Sequence, residues 1–221
     1  MSWALGVVGM LGLTAWAGLT QIGQPKAGET LEVAGASGPV GATVGQIGKI
    51  LGCAVVGIAG GAEECAHEVN TLGFDACIDH KVDDCSGTLN RAVPDGIDIC
   101  FENVGGAVFD ARLPLLNPSA RIPVCGLISQ SNATSLPDGP DRMNYLMGQI
   151  LRKRMTMRGF IVFDDFGHLY SEFTKQMGEL MTQGRIKYQE GIIVGLEPAP
   201  EAFVGLLGGE AFGKRVIKLT D

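Results

Sequence analysis

Thr30-Leu-Glu-Val-Ala-Gly-Ala-Ser-Gly-Pro-Val-Gly41 is the stretch on which the fold turns. A short apolar run over 30–36 leads straight into Gly35, Gly38 and Gly41, and residues 40–51 then carry apolar positions at helical spacing. Strand, glycine-rich turn and helix, in that order, form the unit that meets a pyrophosphate in dinucleotide-binding folds. Glycines let backbone N–H groups come close to the phosphates, and the positive end of the following helix faces them. Pro39 stands near the helix start, where its missing N–H costs nothing. The spacing is G-x-x-G-x-x-G and not the usual G-x-G-x-x-G, so the turn alone would also fit a plain glycine-rich connection. The strands and helices around it weigh against that plain turn.

Moving outward, residues 54–58 are rich in β-branched side chains, 62–72 have helical spacing, and 76–78 make a third apolar strand. The alternation continues with a helix over 86–92, a strand over 96–101, a helix near 109–116, a strand over 121–125, a helix over 145–152 and a sixth strand over 157–162. Strands parted by helices of this length need right-handed crossovers. The fold class is therefore α/β: a Rossmann-type, doubly wound, mostly parallel sheet with helices on both faces. The last third reads as a helix over 166–183, irregular chain, a helix over 199–207 and an exposed final strand over 215–219. The expected division is an interdomain helix at 1–24, a dinucleotide-binding Rossmann domain at 25–165, and C-terminal helices with a final strand at 166–221.

Composition narrows the function. The chain has 221 residues, 46% hydrophobic and 19% charged, which describes a packed chain and not a disordered one. A net charge of −7, with no basic cluster longer than Arg152-Lys153-Arg154, leaves no electrostatic footprint for nucleic acid. Residues 3–19 carry no charge, yet no basic segment precedes them and Gly6, Gly9, Gly12 and Gly18 interrupt the run. A helix packed on other protein is expected there, and no membrane span. The six cysteines contain no Cys-x-x-Cys pair, so no zinc site is expected, and a reducing cytoplasm is.

Other chemistries fall away on spacing. There is no G-x-S-x-G elbow and no G-x-x-x-x-G-K-[ST] loop, and no lysine stands four residues after Tyr145, Tyr170 or Tyr188. His67, His80 and His168 are too scattered to announce a metal site. Asp164-Asp165 suits a solvated loop or helix cap better than an acid/base pair. Glu102-Asn103 has a stronger functional case, because it follows a strand's carboxyl end, where open α/β sheets bind ligands. Cofactor choice is written ambivalently. The second strand ends in Ala59-Gly60-Gly61, without the acid that binds a ribose 2′-hydroxyl, yet Glu63 and Glu64 just beyond would repel a 2′-phosphate.

Several segments in order carry a resemblance: Val7-Val-Gly-Met10, Gly12-Leu-Thr-Ala15, Gly38-Pro-Val-Gly-Ala-Thr-Val-Gly-Gln46, Leu72-Gly-Phe-Asp75, Phe101-Glu-Asn-Val-Gly-Gly106, Cys125-Gly126 and Phe212-Gly-Lys214. Over essentially its whole length the chain resembles the medium-chain dehydrogenase/reductases, within them the zinc-independent double-bond reductases of the prostaglandin and curcumin reductase group. The resemblance implies NADPH-dependent reduction of an α,β-unsaturated ketone or aldehyde, with hydride going to the β-carbon and a proton to the α-carbon. By position it implies that Gly38, Pro39, Val40 and Gly41 hold the pyrophosphate and that Asn103 touches the cofactor. Cys125, Gly126, Leu127, Ile128 and Ser129, with Phe160, Ile161 and Val162, would line the nicotinamide, and Met10 and Thr14 would lie near its ring.

Departures from the family pattern qualify this. Glu64 stands where these reductases commonly place a lysine for the 2′-phosphate, so NAD(H) enters beside NADP(H), with His80 positioned to compensate. Ser131 replaces a tyrosine often assigned to substrate orientation or proton delivery, which leaves the catalytic residue unassigned, and Ala211 replaces an asparagine. The family's N-terminal barrel-like domain, of roughly 120 residues and an ordinary module size, is expected to be missing. The apolar start near Trp3 and the strand at Arg215 are then expected to lie uncovered, which favours self-association or a partner. Expected partners are a small-molecule enone and a second copy in a homodimer, with neither nucleic acid nor membrane. The competing reading is a non-catalytic dinucleotide-binding module, a truncated or decayed relative, which Glu64, Ser131 and Ala211 favour.

Overall fold

Leu31 and Val33 face one side of β1 (Thr30–Ala34), Glu32 and Ala34 face the other, and all four are buried. A strand covered on both faces belongs in the middle of a parallel sheet. In the computed structural model, which describes residues 2–82, 84–135, 140–209 and 212–219, β1 takes that place. With β2 (Ala54–Ala59), β3 (Ala76–Asp79), β4 (Ile97–Phe101), β5 (Leu116–Val124) and β6 (Thr156–Gly159) it forms a six-stranded sheet in the order β3-β2-β1-β4-β5-β6. Every pairing is parallel. The order reverses between β1 and β4, the position at which doubly wound sheets open a crevice.

The helices are α1 (Met10–Ala17), extended by a π-helical turn (Gly18–Gly23), then α2 (Pro39–Ile50), α3 (Ala62–Asn70), α4 (Cys85–Ala92), α5 (Gly106–Arg112), α6 (Met143–Lys153), α7 (Val162–Phe166), α8 (Tyr170–Thr182) and α9 (Ala199–Leu207). On one face Leu13 and Trp16 of α1, Val44 of α2, and Phe173 and Met177 of α8 close over Leu31, Val33 and Val55. On the other, Leu89 of α4 and Leu113 pack with Ala34, Val56, Ile58 and Ile122. The uncharged stretch 3–19 therefore packs into the core through Val7, Leu13, Ala15, Trp16, Ala17 and Leu19, whereas Trp3, Leu5 and Met10 remain 41%, 61% and 51% exposed. No described helix is long and apolar enough to cross a membrane.

The structure corrects three boundaries. The sixth strand ends at Gly159, and Val162 already opens α7, because the Asp165 carboxylate folds back to accept the Ile161 N–H at 3.0 Å. The helix expected over 166–183 is two helices, α7 and α8, joined by a 3-10 turn at Gly167–Leu169. The chain after it is not all irregular: β7 (Glu190–Val194) pairs in parallel with β8 (Lys214–Lys218) from Glu190↔Lys214 to Val194↔Lys218. The final strand thus has a backbone partner, although Ile192 and Val194 stay exposed.

Candidate functional site

At the β1/β4 switch the turn after β1 reverses through Gly35 in the left-handed region, with φ +63°, a conformation that glycine adopts without a steric penalty. Gly41 lets α2 close on that turn, since a Cβ there would stand 2.2 Å from the Gly35 carbonyl oxygen. No side chain caps the start of α2, which leaves the positive end of its dipole uncompensated there, and Val40 of that first turn lines the crevice. That end suits an anion.

The opposite lip is the turn after β4, and a buried ion network shapes it. Glu102 accepts hydrogen bonds from the N–H groups of Val104 (2.6 Å) and Gly105 (2.8 Å). Its other oxygen meets the Arg112 guanidinium, which also donates to Glu32 at 2.9 Å. All three side chains are fully buried, and burial pushes the Glu32 carboxyl upward despite Arg112. Asn103 is presented by this turn. Its side-chain N–H donates to the Ala34 carbonyl at 2.8 Å, linking β4 to β1 across the switch. The Cys125 thiol donates to the Asn103 Oδ1 at 2.9 Å; burial, then the Glu102 charge, pushes that thiol up to about 12, so it stays protonated.

Residues 125–131 lie along this lip. Ile128 donates its N–H to the Asn103 carbonyl (3.0 Å), and Ser129 gives both N–H (3.0 Å) and Oγ–H (2.6 Å) to the Val104 carbonyl. Two adjoining grooves result, with Ile128 in the wall of both. The first, about 440 Å³, is lined by Met10, Thr14, Val40, Asn103, Cys125, Gly126, Leu127, Ile128, Ser131, Phe160, Ile161 and Val162. The second, about 490 Å³, is lined among others by Gly35, Ser37, Gly60, Glu64, His80, Lys81, Gly105 and Ser129.

Of the residues that the resemblance singled out, Met10, Thr14, Val40, Asn103, residues 125–128 and residues 160–162 thus line the first groove, and Glu64, His80, Ile128 and Ser129 the second. Gly38, Pro39 and Gly41 line neither groove: Gly38 is the N-cap of α2, Pro39 faces a separate small cavity with His67 and Glu68, and Gly41 is buried against Gly35. Thr14 has its hydroxyl committed to the Met10 carbonyl at 2.8 Å. Ala211 lies outside the described residues.

In the second groove Glu64 is already engaged, accepting from Ser37 Oγ at 2.5 Å and from the Gly60 N–H at 3.0 Å. Two nitrogen-bearing side chains stand over the neighbouring Gly60. A Cβ on Gly60 would meet His80 Nε2 at 3.4 Å and Lys81 Nζ at 3.5 Å. Lys81 and Ser37 were missed in the sequence. Lys81 is held by its own N–H donating to the Asp79 carboxylate (2.9 Å), a turn just past β3 that a single lysine in a loop does not announce. A helix N-terminus without a cap, glycine-lined walls and a cation at one end fit a dinucleotide's phosphates. Among the described residues no three His, Cys, Asp or Glu side chains come together where a metal ion could be held.

Comparison with known proteins agrees with this geometry. A family profile described as "Zinc-binding dehydrogenase" matches residues 39–183. The chain is 60% identical over 219 residues to the NADPH-dependent curcumin reductase of Escherichia coli, covering 99% of this chain and 64% of that protein. It is 42% identical over 221 residues to a 2-alkenal reductase (NADP(+)-dependent) of Nicotiana tabacum, covering 100% and 63%. Among solved structures, CurA of Vibrio vulnificus in complex with NADPH superposes with a TM-score of 0.97 at 60% identity, covering all of this chain and 65% of that one. The chain spans just under two thirds of the length of these relatives. With matching motifs, strand order and profile, the chain belongs to the zinc-binding dehydrogenase family and is similar within it to curcumin, alkenal and prostaglandin reductases.

Proposed function

We propose that this chain is the cofactor-binding portion of an NADP(H)-dependent oxidoreductase that reduces the C=C bond of α,β-unsaturated ketones or aldehydes. The observation that carries the proposal is the pair of grooves joined at Ile128, running along the carboxyl ends of the strands from Met10 and Asn103 to Glu64 and Lys81. Bound nicotinamide would supply the hydride. The chain's own part is to orient: the first turn of α2 takes the pyrophosphate, Asn103 and Cys125 brace the switch, and Phe160, Ile161 and Val162 keep water from one wall. Relatives named for NADPH-dependent curcumin and alkenal reduction support the substrate class.

Lys81 and His80 support a 2′-phosphate at the second groove. The Glu64 carboxylate favours a second reading there, a ribose 2′-hydroxyl and hence NAD(H), because an acid at this place in the fold accepts from that hydroxyl. Homodimer formation and a cytoplasmic location belong to the same proposal. The open edge of β6, exposed along Thr156–Gly159, supports the first, and six free cysteines support the second.

Calorimetric titration with NADPH and, separately, NADH tests the cofactor. Binding of NADPH at the tighter affinity is expected, and binding of neither would overturn the reading. A turnover assay with a simple enone separates an active oxidoreductase from a binding module: oxidation of NADPH by this chain would exclude the module.

A further inference from the structure

Two cysteines that play no part in the proposed cofactor site touch at its edge. Cys65, on the first turn of α3, and Cys77, on the outermost strand β3, have their sulfurs 3.0 Å apart, closer than two unbonded sulfurs ordinarily sit. Both are half-buried and within reach of solvent, and both are free thiols. No other two cysteines among the described residues are in hydrogen-bond contact. The helix lies over its own following strand, so the two sulfurs face each other across a short connection that keeps them paired. Closing from 3.0 Å to a disulfide bond of about 2.05 Å needs a movement of about 1 Å, within what one helical turn can yield.

We propose that Cys65 and Cys77 form a modification site, a dithiol that a hydroperoxide closes to an intrachain disulfide. Cys65 is the attacking sulfur, because the Cys77 S–H donates to it; burial raises both thiols, but that bond works against the push at Cys65 and adds to it at Cys77. The Cys65 thiolate attacks one peroxide oxygen, the O–O bond breaks, and the departing oxygen takes a proton and leaves as water or alcohol. Cys77 then gives up its proton and attacks the resulting sulfenic sulfur, the S–O bond breaks and water leaves. The two thiols lose two electrons and two protons, which the peroxide takes up. Formation of the bond does not depend on the cofactor reading.

The test treats the full reduced chain with hydrogen peroxide, blocks remaining thiols with iodoacetamide and maps the peptides. The expected result is a chain lighter by two hydrogens, a linked Cys65–Cys77 peptide that dithiothreitol separates, and an upward shift in Tm while the link is closed. C65S and C77S should each lack the link and leave Cys53, Cys85, Cys100 and Cys125 recoverable as alkylated thiols. Recovery of Cys65 and Cys77 in alkylated form, or as separate sulfinic acids, after the peroxide treatment would overturn the proposal. So would the same loss of mass in C65S.

Discussion

Arg112 closes on the Glu102 carboxylate in the fully buried space beneath the end of β4, and that contact holds the turn that presents Asn103. The guanidinium also serves Glu32, whose second oxygen has no partner. Two acids share one base, and the weaker member is Glu32. R112M should therefore cost about 3–5 kcal/mol, because it strands buried carboxylates, whereas E32Q should cost under about 1 kcal/mol. Urea unfolding of both variants checks the ranking; equal losses would mean that Glu32 is as tightly paired as Glu102.

Glu68 on α3 is fully buried, and neither of its oxygens has a partner. Burial, then the charge of Glu64, pushes its carboxyl up to about 8 from the usual 4.5. A pKa raised in the folded state gives stability that is complete below pH 4.5 and is lost as pH rises through 8. E68Q removes this dependence and should stabilise the chain at pH 8.5 by about 1–3 kcal/mol relative to wild type, with little difference at pH 4.5. Thermal melts at the two pH values measure it, and a constant difference between them would contradict the assignment.

Charge at the second groove should set the choice between cofactors. E64K is expected to tighten NADPH by about 1–3 kcal/mol, and K81A to weaken it by a similar amount, through gain or loss of a charge-assisted bond to the 2′-phosphate. NADH affinity should respond little to K81A. If E64K leaves NADPH unchanged, the phosphate lies elsewhere.

The fit of α2 against the turn after β1 predicts a local packing defect in G41A. The added methyl would meet the Gly35 carbonyl, backbone against backbone, and should cost about 1–3 kcal/mol. A urea midpoint equal to that of wild type would show that the turn can relax without cost.

The βαβ order and the glycine turn were legible because strands buried on both faces read as continuous apolar runs; the first four strands lie within two residues of their expected places, while β5, expected over 121–125, already begins at Leu116. Asn103 stood out because it follows a strand's carboxyl end, whereas Cys125 was singled out only by the family resemblance. β7 was not: Gly191 interrupts a short segment whose side chains stay partly exposed, so no period stands out, and only pairing with β8 makes it a strand. Lys81 was equally silent, being one cation in a loop until β3 is laid beside β2 and the turn brings it over Gly60.

By itself, then, the order of apolar runs and glycines along the chain determined the α/β class with its mostly parallel sheet and glycine turn, while the family rested on a resemblance of motifs. Class and turn are properties of local periodicity and of backbone conformations that only glycine takes without strain. The tertiary structure alone decided which charges meet: Arg112 with Glu32 and Glu102, Glu64 with Ser37 and Gly60, Cys65 with Cys77. Such contacts join residues from different strands and helices, and their distances are set by sheet order and helix packing, which no spacing along one chain encodes.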